Sequence, residues 1–160
     1  MPYELQTVKA FLPDMTSRNH GHIVTIASVA GLVGSCKMTD YCASKFGAVG
    51  FAESLEYELR AGGFDNVYTT TVCPYIINTG MFDGCQTRLE HYITIIYKQS
   101  FYALMSALSM LKFAVVYRFP KILGILEPRK TVDRIMQAIL TNQKLLCIPR
   151  TMYLITLMKQ

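Results

Sequence analysis

Ser28-Val29-Ala30-Gly31-Leu32-Val33-Gly34-Ser35-Cys36-Lys37-Met38-Thr39-Asp40-Tyr41-Cys42-Ala43-Ser44-Lys45 lies between a short apolar run and a long segment with few helix breakers. The run before it, Gly21-His22-Ile23-Val24-Thr25-Ile26-Ala27-Ser28, is β-branched and nearly continuously apolar. That pattern predicts a central parallel strand covered on both faces. Ser28 then stands at a strand's carboxyl end, where open α/β sheets gather their ligands. Beyond the loop Val29 to Thr39, the segment Asp40 to Arg60 reads as a helix stopped by Gly62-Gly63. Its apolar face is read as Ala43, Phe46, Gly47, Val49, Gly50 and Phe51, small enough for close packing. A second strand, Val67-Tyr68-Thr69-Thr70-Thr71-Val72-Cys73, is halted by Pro74, which has no N–H to give to a sheet ladder. Strand, helix and strand in about fifty residues make a βαβ unit with a right-handed crossover.

The polar residues at this junction suit one kind of chemistry. Interconverting an alcohol and a carbonyl needs a proton donor or acceptor at oxygen while hydride moves at carbon. A phenol titrates near pH ~10 when unperturbed, and a neighbouring ammonium favours its anion. Lys45 follows Tyr41 by four residues, so a helix places both on one face, one turn apart. The Ser28 hydroxyl can donate to the same substrate oxygen and hold it against the phenol. After the second strand, Pro74-Tyr75-Ile76-Ile77-Asn78-Thr79-Gly80-Met81 forms a loop whose backbone and Thr79 hydroxyl can grip a nicotinamide amide.

Ser28, Tyr41 and Lys45 match in order and spacing the Ser, Tyr-x-x-x-Lys triad of the short-chain dehydrogenase/reductases, and Pro74 to Met81 matches that family's Pro-x-x-x-x-Thr-x-Met signature. The chain resembles the carboxyl-terminal part of such an enzyme. Phe11-Leu12-Pro13, His20-Gly21-His22-Ile23-Val24, Tyr41 to Phe46, Thr79 to Cys85 and Ile125-Leu126-Glu127-Pro128 are similar to the epidermal retinol dehydrogenase and 17β-hydroxysteroid dehydrogenase branch. The resemblance covers most of residues 8 to 85 and 124 to 158. It implies a partial Rossmann-like, doubly wound parallel sheet and an oxidoreductase acting with NAD or NADP on the CH–OH group of a lipid-like alcohol, a retinoid or steroid. Tyr41 would be the acid/base, Lys45 its partner and a ligand of the nicotinamide ribose, and Ser28 the group that orients the substrate oxygen. Pro74 and Thr79 would lie against the cofactor. The resemblance further points to residence at an endoplasmic reticulum membrane or lipid-droplet surface, with the cytoplasm as the alternative, and allows a homodimer.

Two departures shape the expectation. The family's Thr-Gly-x-x-x-Gly-x-Gly phosphate loop, which binds pyrophosphate at a helix amino terminus, does not occur, nor do its Asn-Asn-Ala-Gly strand signature and active-site asparagine. The expected sheet therefore lacks the amino-terminal strands. A truncated, catalytically silent member, a pseudogene product or interaction fragment, is the competing reading. Secondly, residues 89 to 121 look inserted into what is otherwise one domain over 1–160. They are rich in Tyr, Phe, Leu and Ile, and Lys98 and Lys112 divide them into pieces shorter than the ~20 residues of a span. A helix lying on a membrane surface or over the substrate entrance is expected there.

Composition closes off other classes. With 51% hydrophobic residues in 160, the chain can bury a core. Its net charge of +5 is spread without a basic stripe, which argues against nucleic acid and fits an anionic membrane surface. Leu145 to Met158 reads as an apolar patch able to touch lipid. The five cysteines are odd in number and lack Cys-x-x-Cys spacing, so neither a disulfide framework nor a metal site is expected. Cys42 and Cys73 are read as small buried hydrophobes, and His20 and His22 as turn or surface residues. Glu53, Glu56 and Glu58 are read as a solvated helix face. The amino terminus has no basic segment followed by an apolar core, so no signal peptide is expected.

Overall fold

A computed structural model describes residues 2–35, 37–81 and 125–153 of the chain. It divides into two compact units, Met1–Ile77 with Leu126–Gln160, and Asn78–Ile125. The expected insertion at 89–121 lies outside the described residues, as do Cys36, Cys85 and residues 154–158.

The first unit runs α1 (Pro2–Ser17), β1 (Gly21–Ile26), a 3-10 turn (Val29–Gly31), α2 (Thr39–Ala61), β2 (Val67–Pro74), α3 (Pro128–Leu140), β3 (Leu145–Ile148) and a second 3-10 turn (Arg150–Met152). The three strands form one parallel sheet in the order β1-β2-β3, so the expected α/β architecture is present. Among the described residues, however, β1 is an edge strand rather than the expected central one and is mostly half-buried, with Ile26 exposed; β2 is central. Gly21 pairs with Val67 and Ile26 with Val72, which brings the carboxyl ends of β1 and β2 level. Pro74 does not stop β2 one residue early, as expected, but is its last residue, in register with Ile148 at the end of β3.

Alternation along the strands sorts the core into two layers. Val67 and the half-buried Ile23 face α1 and α2, packing with Leu55 and Leu59 and against Val8, Leu12 and Met15. Val72, Leu146 and Ile148 face α3, where Ala138 and Ile135 meet them. The buried face of α2 is Ala48, Ala52, Leu55 and Leu59, at the i, i+4, i+7, i+11 spacing of one helical stripe. That corrects the expected face: Ala43 and Gly50 are exposed and Phe46 only partly covered. The first turns of α2 meet the loop after β1 rather than the sheet, so an apolar count begun at Ala43 picks the wrong stripe. Leu145 to Ile148 is not a lipid-facing patch but a core strand, with Cys147 and Ile148 almost fully buried.

Polar details complete the fit. Gly62 caps α2 through its N–H to the Glu58 carbonyl, and Gly63 takes the left-handed backbone (φ +75°) that ends the helix. His22 is a strand residue whose Nε2 lies 2.8 Å from the Oγ1 of fully buried Thr70. Glu56 is not freely solvated as expected; it pairs with Lys144, tying α2 to the segment before β3.

Truncating Leu59 to Ala should cost about 2–5 kcal/mol, since the residue is enclosed by both helices and β2. Urea unfolding would show the midpoint fall; an unchanged midpoint would contradict this packing. Burial lowers the His22 pKa from 6.5. The unfolded chain therefore binds more protons there, and stability present above pH 6.5 is lost as pH falls toward the depressed folded value. A His22→Gln variant should lose that acid sensitivity in a pH series of thermal unfolding.

Candidate active site

Ser28 sits two residues past the end of β1, with extended backbone (φ −170°), as the cap of the Val29–Gly31 turn. Its side-chain oxygen accepts the Ala30 N–H at 3.1 Å, which fixes the rotamer. The hydroxyl proton points to the Pro74 carbonyl at 3.5 Å, well beyond the 2.7–2.8 Å usual for O–H···O. A hydroxyl anchored by its lone pair while its proton is weakly engaged can donate to an incoming oxygen at little cost. Ser28 and Pro74 are thus brought together across the carboxyl ends of β1 and β2.

Tyr41 and Lys45 both lie in the first two turns of α2. Their four-residue spacing puts the Lys45 ammonium 5.8 Å from the Tyr41 ring centroid, within cation–π range. The same ammonium donates to the carbonyl of Ile26, the last residue of β1, at 3.0 Å. Lys45 therefore touches both the phenol and the strand that leads to Ser28. Thr79 belongs to the other unit, where it is exposed in a bend before Gly80 (φ +81°).

Three features that hold this junction carry weak sequence signals. A Cβ on Gly31 would stand 2.5 Å from the Lys45 carbonyl oxygen and 2.8 Å from its carbon, both backbone atoms. Only glycine lets the turn after Ser28 lie against α2 at Lys45. Cys42, next to Tyr41, is buried and its sulfur accepts the Ser35 N–H at 3.3 Å, pinning the intervening loop to the helix. Cys73 lies at the end of β2, where it forms a buried floor. Burial, the neighbouring Cys147 and weaker opposing effects of a Ser28 hydrogen bond and the Lys45 charge leave its thiol pushed up to about 12. Cys73 is therefore neutral near physiological pH. The glycine was visible in the stretch between Ser28 and Tyr41, but its role depends on a helix–turn approach that no spacing rule reports.

The set comprises a hydroxyl donor, a phenol and a cation on adjoining ends of one strand and one helix, over a neutral floor. Phenol and ammonium suit the hydroxyls of a nicotinamide ribose, and Ser28 suits a substrate oxygen. No described residues form a glycine-rich loop that would receive a pyrophosphate. Among the described residues no group of His, Cys, Asp or Glu is arranged to hold a metal, and no helix is long and apolar enough to cross a membrane.

Residues 4–89 match the family model described as short chain dehydrogenase. The chain is 45% identical over 153 residues to retinol dehydrogenase 10-B of Danio rerio and 44% identical to retinol dehydrogenase 10 of Homo sapiens. Each alignment takes in 96% of this chain but 37% of the relative, so the chain spans little more than a third of their length. Among solved structures, a short chain dehydrogenase/reductase of Burkholderia phymatum in complex with NAD superposes with a TM-score of 0.61 at 28% identity, covering 94% of this chain and 51% of that one. A short-chain dehydrogenase of Sphingobium yanoikuyae in complex with NADPH gives a TM-score of 0.62 at 18% identity, covering 92% and 44%.

Gly31→Ala should destabilise the fold by about 1–3 kcal/mol, because the added methyl meets backbone rather than a movable side chain. A urea midpoint equal to that of the parent chain would refute the close approach. Peptide mapping after iodoacetamide at pH 8 should find Cys73 and Cys147 unmodified in the folded protein and modified in urea, since burial holds their thiols at about 12 and 11. Labelling of the folded chain at the rate of a free thiol would contradict it.

Proposed function

Because the chain belongs to the short-chain dehydrogenase family, we propose that it carries the catalytic half of an oxidoreductase acting on the CH–OH group of a lipophilic alcohol of the retinoid type, with NAD or NADP. The observation that carries this reading is Lys45 placed between the Tyr41 ring and the Ile26 carbonyl, one strand end away from Ser28. The retinoid class rests on the relatives named retinol dehydrogenase 10. The cofactor class rests on the Burkholderia phymatum enzyme in complex with NAD and on membership of the family.

In this mechanism Ser28 donates its loosely held proton to the substrate oxygen and sets it toward α2. Tyr41 takes the hydroxyl proton during alcohol oxidation and returns it during carbonyl reduction. Lys45, held over the Tyr41 ring, would bind the nicotinamide ribose hydroxyls. When bound, the nicotinamide supplies or accepts the hydride. Gly31 and Cys42 keep the three groups in place, and proximity of this kind accounts for a large part of any rate gain. A lipophilic substrate would reach the site from a membrane or lipid-droplet surface, to which the net charge of +5 is suited.

The competing reading is a catalytically silent family member. The two separate on cofactor binding. The chain has ten tyrosines and no tryptophan, so energy transfer from tyrosine to reduced nicotinamide reports binding directly. The oxidoreductase reading expects a Kd tighter than ~100 μM and turnover of retinol that falls ~100-fold or more in Tyr41→Phe. No binding of NADH or NADPH, or turnover untouched by Tyr41→Phe, would overturn it.

A further inference from the structure

Away from the triad, α3, β3 and the turn after it enclose a cavity of about 320 Å³. Its lining includes Arg134 and Gln137 from α3, Gln143, Arg150 and Tyr153, and it contains no carboxylate. One wall is rigid. The Tyr153 hydroxyl accepts the Cys147 N–H at 3.1 Å and donates to the Leu145 carbonyl at 2.9 Å, taking up the outer hydrogen-bonding groups of β3. The Gln143 amide nitrogen donates to that same hydroxyl at 2.7 Å and to the Leu145 carbonyl at 2.8 Å. Both of its protons are spent, so these groups shape the cavity and leave ligand recognition to others.

The remaining donors are charged. Arg18, Arg60, Lys130 and Lys144 each have a carboxylate partner, whereas neither Arg134 nor Arg150 has one within 4.0 Å among the described residues. Cys147, also in the lining, adds no negative charge at neutral pH, since burial pushes its thiol up to about 11. Two unpaired guanidinium groups on one concave, carboxylate-free surface form a forked donor set for a tetrahedral oxyanion. A phosphomonoester, at −1.5 to −2 near neutral pH, matches their combined charge, where a carboxylate supplies only half.

We propose that the cavity bounded by Arg134, Gln137, Arg150 and Tyr153 is a binding site for a phosphomonoester group. The group has two sources, a soluble phosphorylated molecule or the headgroup of an anionic lipid such as phosphatidic acid. Gln137, on the same helix as Arg134 and one turn on, offers an uncharged donor to a third phosphate oxygen. The site is independent of the triad and of any cofactor.

The 160-residue chain is titrated in about 0.1 M salt with inorganic phosphate, followed by calorimetry, and separately with phosphatidylcholine vesicles with and without phosphatidic acid, followed by co-sedimentation. Arg134→Gln and Arg150→Gln should each weaken binding by about tenfold, as expected for loss of one charge-assisted fork. Arg129→Gln removes the same charge from an exposed α3 position outside the cavity and should leave binding unchanged. Phosphate binding with this pattern identifies a soluble ligand, and vesicle binding alone with this pattern identifies the lipid headgroup; either supports the site. Binding lost equally in Arg129→Gln, binding untouched in both cavity variants, or no binding of either probe at ~10 mM phosphate or phosphatidic acid would overturn it.

Discussion

Lys45 reaches from α2 to the last carbonyl of β1 while its own backbone carbonyl lies against Gly31, and this double contact sets the spacing of everything at the sheet's carboxyl end. A charge-assisted bond of this kind is stronger than a neutral one, although partial exposure screens it. The glycine contact is steric and unscreened. Together they fix how far α2 stands from the end of β1, and hence how far Tyr41 stands from Ser28. A larger residue at position 31 would push the helix outward and separate Tyr41 from Ser28 without altering either side chain.

Beneath this junction the sheet is unusually rich in small polar residues. Thr69, Thr70 and Thr71 of β2 and Thr25 of β1 are buried where valine or isoleucine would serve packing alone. Thr70 satisfies its hydroxyl through His22, so the polar atom is paired rather than stranded. Cys73 and Cys147 lie in register on β2 and β3 and remain protonated through burial. Cys73, beside Ser28 and Lys45, therefore adds no thiolate charge at the carboxyl end of the sheet. The outer edge of β3 is closed by Tyr153, whose hydroxyl substitutes for a neighbouring strand.

Much of this was legible from residue patterns, for reasons that differ by element. β1 and β2 were legible as short β-branched runs bounded by turn residues, and the glycines after α2 marked its end within a residue or two. The centre of the sheet was misplaced: β2 holds it although three of its residues are threonines, while the more apolar β1 lies at the edge. Tyr41 and Lys45 were paired by helical periodicity, and their contact follows from it. The face of α2 was misread because apolar residues near a helix start can cover a loop instead of a sheet. β3 was read as a lipid-facing patch because four apolar residues have no period long enough to distinguish a buried strand from an exposed patch. Glu56 looked solvated because its partner, Lys144, is distant in sequence. The Ser28 proton's long reach to Pro74 and the Gly31 approach depend on tertiary distances, which no one-dimensional pattern contains.

The Lys45 bridge from α2 to the end of β1 sets the geometry of the whole junction. The direct measurement is a through-hydrogen-bond NMR coupling between the Lys45 side-chain nitrogen and the Ile26 carbonyl carbon, in protein labelled with ¹⁵N and ¹³C. A resolved correlation, with the Lys45 ammonium protons protected from water exchange, is the expected result. No correlation, with an ammonium exchanging as freely as that of an exposed lysine, would contradict the bridge and remove the support for a working triad.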